Sequence, residues 1–299
     1  MESVTYDIKN ELECLRDYQN SIQKFYKYRE IAKEKHFDCD VTYFAMENAR
    51  KIYPFLTGAE IKEQEGNYNN YKHKFELDLK VQGRFFTYSG DTCNSFHTLY
   101  NMAVMALVPE YDDICRRYGV PRKETLAQLL SKHEGLSEEF EKKMPLNIGV
   151  LFKEFAEINH TLPNMIALRK GLNAPRYRRT ADNFSFFLYA SYLYLNDRED
   201  WLLNWMFDGV SVLAKEYLDT FKEWESYVKL NYLESYLDKG VPKEFIKGQF
   251  KRFRGAAERR GSEGKVKDYS CPKNPDEYVE YLTNVITILK HRGAEMPSV

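Results

Sequence analysis

The spacing of the apolar residues is the feature that most narrows the fold of this chain. Over most of its length they recur at steps of three and four residues, as in 5–35, which is the period of an amphipathic helix. The segment KFELDLKV (74–81) departs from that period, because apolar and charged residues alternate in it as in a half-buried strand. A tight turn at Gln82-Gly83 then leads into RFFTYS, which predicts a β-hairpin. The fold class expected is α+β and predominantly helical, a helical bundle with a small antiparallel hairpin or sheet.

The local patterns predict one domain, 1–299. We expect its units to be a long N-terminal helix (5–35), a second helix (44–55), the hairpin (72–89), a helical body (95–237), an exposed basic loop (251–275) and a C-terminal helix (276–291). Inside the body we expect helices at 95–106, 110–118, 122–132 and 149–158, a short strand at 165–168 and aromatic helices between 180 and 237. Of these, FSFFLYASYLYL is apolar nearly all round, which predicts a buried central helix. GNYNN (66–70) is expected to be a flexible connection and VPKEFIKGQF a further short helix.

Composition limits the class of protein and its partners. With 43% hydrophobic and 30% charged residues, the chain is not of the intrinsically disordered class. Its net charge of −1 creates no global field that would attract nucleic acid or an anionic membrane, so such binding needs a local patch. No apolar run approaches the roughly 20 residues of a membrane-spanning helix, and the N-terminus resembles no secretory signal. We therefore expect a cytoplasmic protein with no membrane partner.

Cysteines and known motifs exclude several kinds of chemistry. The five cysteines are scattered, and no Cys or His pair has the spacing of zinc ligands, so we expect reduced thiols and no metal site. The motifs of phosphate-binding loops, dinucleotide-binding turns, zinc proteases, esterases and calcium loops are also missing from the sequence. An enzyme whose site is assembled from scattered residues stays open. The sequence points to no particular cofactor.

The loop that leaves the hairpin, GDTCNSF (90–96), is the first candidate binding segment. It contains four short polar side chains, Asp91, Thr92, Asn94 and Ser95. Such side chains suit a helix N-cap, and a helix N-terminus also presents N–H groups that can hold an anion. Two interpretations stay open: the loop only caps the following helix and closes a turn, or it forms one wall of an anion site.

The segment 160–182 is the second candidate. Between 161 and 181 it holds five cations and no carboxylate, a composition suited to phosphate groups. The residues singled out here are His160, Asn164, Arg169, Asn173, Arg176 and Arg178. In the alternative, purely structural interpretation, His160 is a partly buried histidine whose hydrogen bonds are made within the protein. The arginines then pair with acidic helix faces.

The basic segment 251–267 is the third candidate. It contains two carboxylates, Glu258 and Glu263, and a larger number of cations, namely Lys251, Arg252, Arg254, Arg259, Arg260, Lys265 and Lys267. Sequence-neutral nucleic-acid binding favours cations interleaved with stacking rings, whereas Phe253 is the only aromatic residue inside this segment. A solvated loop and a nucleic-acid contact both stay open.

Several of these motifs together resemble a family of bacterial proteins of unknown function. That family carries G-D-T-x-N-S-F, then H-T-I-G-N-F with a nearby N-x-x-R-G, and a terminal T-N-V helix ending in R-G-x-x-M; this chain has GDTCNSF, HTLPNM, Asn173 and YLTNVITILKHRGAEM in that order, over about residues 75–296. Leu162-Pro163 replaces the usual Ile-Gly, and Tyr177 follows Arg176 in place of Gly. The resemblance implies no activity. It groups as one set Asp91, Thr92, Asn94, Ser95, His160, Asn164, Asn173 and Arg176.

Two hypotheses for the function follow. In the first, loop 90–96 and segment 160–182 enclose a pocket for a phosphate-containing small molecule or nucleotide, in which the arginines hold phosphate and the asparagines read a polar group beside it. His160 and Asp91 are the catalytic candidates if a reaction occurs there, because the ordinary pKa of histidine lies nearest neutrality. In the second, a binding protein without chemistry contacts a protein or nucleic acid through its aromatic helices or through 251–267.

Overall fold

The structure, a computed structural model, describes residues 21–34, 49–68, 71–81, 84–119, 130, 133–172, 184–258 and 272–297. Its α-helices are α1 (Ser21–Glu34), α2 (Phe96–Leu107), α3 (Tyr111–Arg117), α4 (Glu134–Lys143), α5 (Leu146–Asn159), α6 (Phe184–Asp197), α7 (Trp201–Met206), α8 (Ser211–Asp219), α9 (Trp224–Leu230), α10 (Gln249–Glu258) and α11 (Pro275–Glu295). Short 3₁₀ helices occupy Pro54–Leu56, Leu162–Asn164 and Glu234–Tyr236. The strands are β1 (Glu60–Tyr68), β2 (Tyr71–Val81), β3 (Arg84–Thr92), β4 (Met165–Arg169), β5 (Leu237–Asp238) and β6 (Val241–Pro242).

The main sheet is antiparallel throughout, in the order β1-β2-β3-β4. The predicted hairpin is its centre, with Leu77 opposite Tyr88 and both side chains buried. The predicted strand at 165–168 is the edge strand β4, which places Ile166 opposite Asp91. The mostly helical α+β class expected from the sequence is therefore confirmed.

Strand β1 was not expected from the sequence. The prediction of a flexible connection at 66–70 is wrong for residues 66–68, which belong to β1. Ile61 is the only aliphatic residue in EIKEQEGNY, so the strand lacks the alternation that revealed its neighbour. Its order comes from pairing with β2, in which Glu60 lies opposite Asp78, and Lys62 forms an ion pair with Asp78 at 2.6 Å. That ion pair and the hydroxyl of Thr87 lower the pKa of Asp78.

Helix α6 is the buried centre of the helical half, as the sequence predicts. Ten of its fourteen residues are buried. It contacts helices α7, α8, α9 and α10. Several of their aromatic rings meet at right angles or tilted, as between Phe187 and Phe207 at 5.5 Å. Edge-to-face contacts of this kind add to the free energy of burying the rings, so aromatic residues serve the core here.

The predicted basic loop at 251–275 is wrong for its first part. Residues 251–258 continue α10, and Phe253 is completely buried against Phe186, with ring centres 4.4 Å apart. The charged side chains hid one apolar stripe formed by Phe250, Phe253 and Ala257, which are all buried. Residues 259–271 lie outside the described residues, and the C-terminal helix predicted at 276–291 is α11.

The prediction of a short helix in VPKEFIKGQF (241–250) is also wrong. Val241–Pro242 pairs with Leu237–Asp238, and the carboxylate of Glu244 accepts hydrogen bonds from the backbone N–H groups of Gly248 (2.7 Å) and Phe250 (2.6 Å). Those bonds satisfy the free N–H groups at the start of α10, so the helix begins only at Gln249.

The other predicted elements are described in part or in full. Of the N-terminal helix predicted at 5–35 the structure describes Ser21–Glu34, and of the helix at 44–55 it describes 49–52, followed by the 3₁₀ turn at Pro54. The helices predicted at 95–106, 110–118 and 149–158 are α2, α3 and α5. The one at 122–132 lies outside the described residues apart from Leu130. In the described part of the chain, no helix has the length and apolar character needed to cross a membrane.

Candidate functional site

The two polar segments singled out by the sequence lie against each other. Strand pairing joins Thr92 of β3 to Met165 of β4, and the N–H of Cys93 donates to the carbonyl oxygen of Asn164 at 2.5 Å. Residues 70 positions apart in the chain therefore share one hydrogen-bonded junction. We call this region, with Asn94, Asn159, Asn164 and the residues bonded to them, the junction.

Asn164 is fully buried, and its amide group links both segments. Its Oδ1 accepts from the N–H of Asn94 at 3.0 Å, and its Nδ2 donates to the carbonyl oxygens of Asn94 (2.8 Å) and Asn159 (2.9 Å). The 3₁₀ turn Leu162–Asn164, with Pro163 as its second residue, places the side chain at this position. The amide group is thus bonded to main-chain atoms, as befits a group that joins two segments.

Asn94 and Asn159 extend the same network. Asn94, 1% exposed, donates through Nδ2 to the hydroxyl of Tyr236 at 3.2 Å and accepts from the N–H of Phe184 at 3.3 Å. Asn159 at the end of α5 accepts from the N–H of Phe96 at 2.9 Å. Asn159 was not singled out by the sequence, although an Asn at a predicted helix end is a recognisable signal for a capping or bridging role.

The other short polar residues of the loop are buried or cap a helix. Asp91 and Thr92 belong to β3 and are buried. The hydroxyl of Ser95 accepts from the N–H of Thr98 at 3.3 Å, so Ser95 is the N-cap of α2. The interpretation that the loop caps the following helix is therefore correct for Ser95.

The cations and the histidine of the second segment occupy different surroundings. His160 follows α5, and its half-buried ring stacks on Phe25 at 4.9 Å and 12°. Arg169 forms an ion pair with Glu216 and lies 5.1 Å from the ring centre of Phe86, so it contacts an acidic helix face. Asn173, Arg176 and Arg178 lie outside the described residues. The phosphate contacts of the two arginines and the polar contact of Asn173 therefore stay predictions.

Arg292 in α11 is the central residue of the junction that the sequence analysis missed. Its guanidinium is fully buried and donates to the carbonyl oxygens of Pro163 (2.6 Å), Met165 (2.9 Å), Tyr232 (2.9 Å) and Asn231 (3.0 Å). It also donates to the hydroxyl of Tyr53 at 2.9 Å and to the sulfur of Cys93 at 3.3 Å. One side chain therefore ties five separate parts of the chain together. The burial of Arg292 could have been predicted from its position three residues after Leu289, on the apolar helix face that begins with Tyr278.

No carboxylate among the described residues forms an ion pair with Arg292. Burial acts to lower its pKa, but the neighbouring Tyr53, Cys93 and Tyr236 raise it above the ordinary value of arginine, so the guanidinium stays charged. Burial raises the pKa values of Tyr53 and Tyr236, so both phenols stay neutral at pH 7. The junction therefore holds a buried cation whose hydrogen-bond partners are main-chain carbonyl oxygens, the hydroxyl of Tyr53 and the sulfur of Cys93.

A shallow pocket opens beside the junction. It encloses about 260 Å³ including its mouth, and its lining is almost wholly apolar, with Ile52, Leu162, Ile166 and Met296 among the residues that form it. Such a lining offers little that could hold a phosphate group. Within the described ranges, no group of three or more His, Cys, Asp or Glu side chains is placed to bind a metal ion.

Gly293 allows α11 to approach the junction, which yields a testable prediction. A Cβ at Gly293 would lie 2.9 Å from Cγ of Pro163, which is closer than real Cβ atoms come. We expect Gly293→Ala to lower the free energy of unfolding by about 1–3 kcal/mol, because the overpacking outweighs the gain in helix propensity. The matched control is Gly149→Ala in α5, where a Cβ meets nothing within 4 Å. We expect this control to raise stability by about 0.5–1 kcal/mol. Urea unfolding of both variants checks the pair; equal effects would contradict the close approach.

A second polar and aromatic surface lies where α10 packs on α6 and α7. The guanidinium of Arg254 lies 5.5 Å from the ring centre of Trp201 and donates to the hydroxyl of Tyr189 at 3.3 Å. Tyr189 stacks on Phe250 at 4.2 Å and 5°. Trp205 completes the surface, 5.5 Å from Phe253. Tyr189, Trp201, Trp205 and Arg254 are each partly exposed, and we call these four residues the aromatic–arginine face.

The charges around the aromatic–arginine face are mixed, because Glu199 and Glu258 both lie near Arg254. The hydrogen bond to Tyr189 raises the pKa of Arg254, which keeps its charge. Lys251 on the same helix is exposed, whereas Arg252 is held by Glu277 at 3.3 Å. Glu199 accepts from the indole N–H of Trp201 at 3.4 Å. The face thus presents aromatic rings with one ordered guanidinium and one solvated ammonium beside them.

Comparison with known proteins adds no relative to this picture. No protein-family model, no curated protein and no solved structure matches the chain. The resemblance to a bacterial family stays a prediction from the motifs.

Proposed function

We propose that the protein is a non-enzymatic, cytoplasmic binding protein that takes single-stranded nucleic acid on its aromatic–arginine face. The observation that carries the proposal is the placement of the Arg254 guanidinium between the ring of Trp201 and the hydroxyl of Tyr189. Such an arginine can contact a phosphate while the partly exposed rings beside it offer surfaces for bases.

The chemistry of the face fits an unpaired strand better than a duplex. Base stacking on aromatic side chains requires bases that are free of a helix, and it tolerates any sequence because every base has a flat face. The nearby cations, Lys251 and Arg254, would contact phosphates with a strong dependence on salt. The sequence continues after α10 with Arg259 and Arg260, which adds positive charge to the same part of the chain.

The alternative pocket between the two polar loops is less well supported by the described residues. Asn94 and Asn164, which were expected to read a ligand, are buried and hydrogen-bonded to the protein itself. Arg169 is paired with Glu216. The aromatic–arginine face, with its partly exposed rings and Arg254, is therefore the better candidate for a binding surface.

The test is the binding of a fluorescently labelled 20-nucleotide poly(U) or poly(dT) strand, followed by anisotropy at rising salt. We expect Trp201→Ala to weaken binding by about 5- to 150-fold, because one stacked base contributes about 1–3 kcal/mol. Arg254→Gln should weaken binding and reduce the slope of log affinity against log salt by about 0.7, the value for one phosphate on a single strand. Trp201→Phe should keep most of the affinity.

Matched controls separate this face from general effects of charge and hydrophobicity. Phe85→Ala removes an aromatic ring that is 69% exposed elsewhere, and Arg116→Gln removes an exposed arginine. Both should bind as the unaltered protein does. No binding at low salt, or equal losses in controls and face variants, would contradict the proposal. Equal affinity for a mononucleotide and for the 20-nucleotide strand would contradict the extended single strand as the partner.

A further inference from the structure

The sulfur of Cys93 lies inside the junction, directly against the buried cation. Cys93 is fully buried, and its Sγ is 3.3 Å from Nη1 of Arg292. It stands between β3 and α2, at a point fixed by the hydrogen bond from its own N–H to Asn164. The thiol cannot move away from the guanidinium without opening the junction.

A second donor faces the same sulfur. The hydroxyl of Tyr236 is hydrogen-bonded to Cys93, and its oxygen accepts from Nδ2 of Asn94 at 3.2 Å. Because that oxygen already receives one proton donor, its own O–H is free to point at the sulfur. Cys93 is thus approached by an arginine N–H and a tyrosine O–H, and both are donors. A sulfur between two donors acts as an acceptor.

The charge of Arg292 requires a counter-charge that its other partners do not supply. Those partners are four carbonyl oxygens and the hydroxyl of Tyr53, all of them neutral. A buried cation without an anion is strongly destabilising. Among the side chains hydrogen-bonded to Arg292, the thiol has the lowest ordinary pKa, about 8.5 against about 10 for tyrosine.

The carboxylate of Glu295, on the same helix as Arg292, is less suited to that task. Burial and the neighbouring Glu234 raise the pKa of Glu295, which favours its neutral form. His291 and Tyr232 also lie in this part of the fold, and neither side chain is a carboxylate. We propose that Cys93 is the counter-ion of Arg292, held as a thiolate in the folded protein at neutral pH.

The first test compares urea unfolding of the unaltered protein and Cys93→Ser between pH 6 and pH 8.5. A thiolate stabilised in the folded state contributes fully above the ordinary thiol pKa of about 8.5, and that contribution is lost as the pH falls through its lowered folded-state pKa. Between those two pH values, the unaltered protein should become more stable relative to Cys93→Ser as the pH rises. The ratio of the unfolding equilibrium constant of Cys93→Ser to that of the unaltered protein should rise by about tenfold for each pH unit. A ratio that stays constant over this range would overturn the proposal.

The second test observes the charge of the thiol directly in the unaltered protein. In protein labelled with ¹³C at the cysteine Cβ, one cysteine resonance should keep the thiolate chemical shift at pH 7, while a buried thiol such as Cys115, whose pKa burial raises, stays protonated. Cys115→Ser should leave the thiolate resonance in place, and Cys93→Ser or Cys93→Ala should remove it. If every cysteine resonance at pH 7 has the shift of a neutral thiol, the proposal fails.

Discussion

Replacing Arg292 with methionine should lower the free energy of unfolding by about 3–5 kcal/mol, the range seen when one member of a buried charged network is removed. Methionine fills part of the same volume, so most of the loss in stability should come from the missing hydrogen bonds and little of it from an empty cavity. The carbonyl oxygens of Pro163, Met165, Asn231 and Tyr232 would each lose a donor in a buried place. Urea denaturation followed by circular dichroism measures the effect.

Two further variants identify the cause of that loss. Arg116→Met removes an arginine whose side chain is 76% exposed and should change stability by no more than about 0.5 kcal/mol. Arg292→Lys keeps the charge but offers three donors from one nitrogen instead of a planar fork, so we expect it to recover only part of the loss. A loss below about 1 kcal/mol for Arg292→Met would contradict a central role for this residue.

Local patterns were sufficient for those elements whose side chains alone determine their structure. The alternation in 74–81 and the all-round apolar character of α6 needed no knowledge of partners, and both predictions are confirmed. Strand β1 carries almost no apolar signal, and its order comes from pairing with β2. Helix α10 was hidden because its three cations interrupt an apolar stripe of only three residues, Phe250, Phe253 and Ala257.

The candidate site was harder to predict because one composition serves two purposes. Short polar residues beside a strand end can bind a ligand, but the same residues satisfy buried N–H and C=O groups where segments meet. At the junction, Asn94 and Asn164 bond to main-chain and tyrosine atoms of the protein. Arg292 could be placed on the buried face of its helix from spacing alone, whereas its partners, up to 239 positions away, could not be identified without the fold.

Asn164→Ala should lower the free energy of unfolding by about 3 kcal/mol, because three buried main-chain groups lose their partners at once. They are the N–H and C=O of Asn94 and the C=O of Asn159. Asn196→Ala, an exposed asparagine on α6, is the matched control and should change stability by no more than about 0.5 kcal/mol. Chemical denaturation at pH 7 measures both.

Asn164→Asp sharpens the same prediction, since it keeps one acceptor oxygen for the N–H of Asn94 and replaces the donor with a second oxygen. At neutral pH the carboxylate would face the carbonyl oxygens of Asn94 and Asn159, so we expect a loss at least as large as that of Asn164→Ala. Burial raises the folded-state pKa of such a carboxyl, so its penalty is absent below the unfolded value of about 3.9 and grows as the pH rises through the folded-state pKa. Stability of this variant relative to the unaltered protein should therefore fall as the pH rises from about 4 to 7. A variant equally stable at both ends of that range would show that the Asn164 amide is not the donor that joins the two segments.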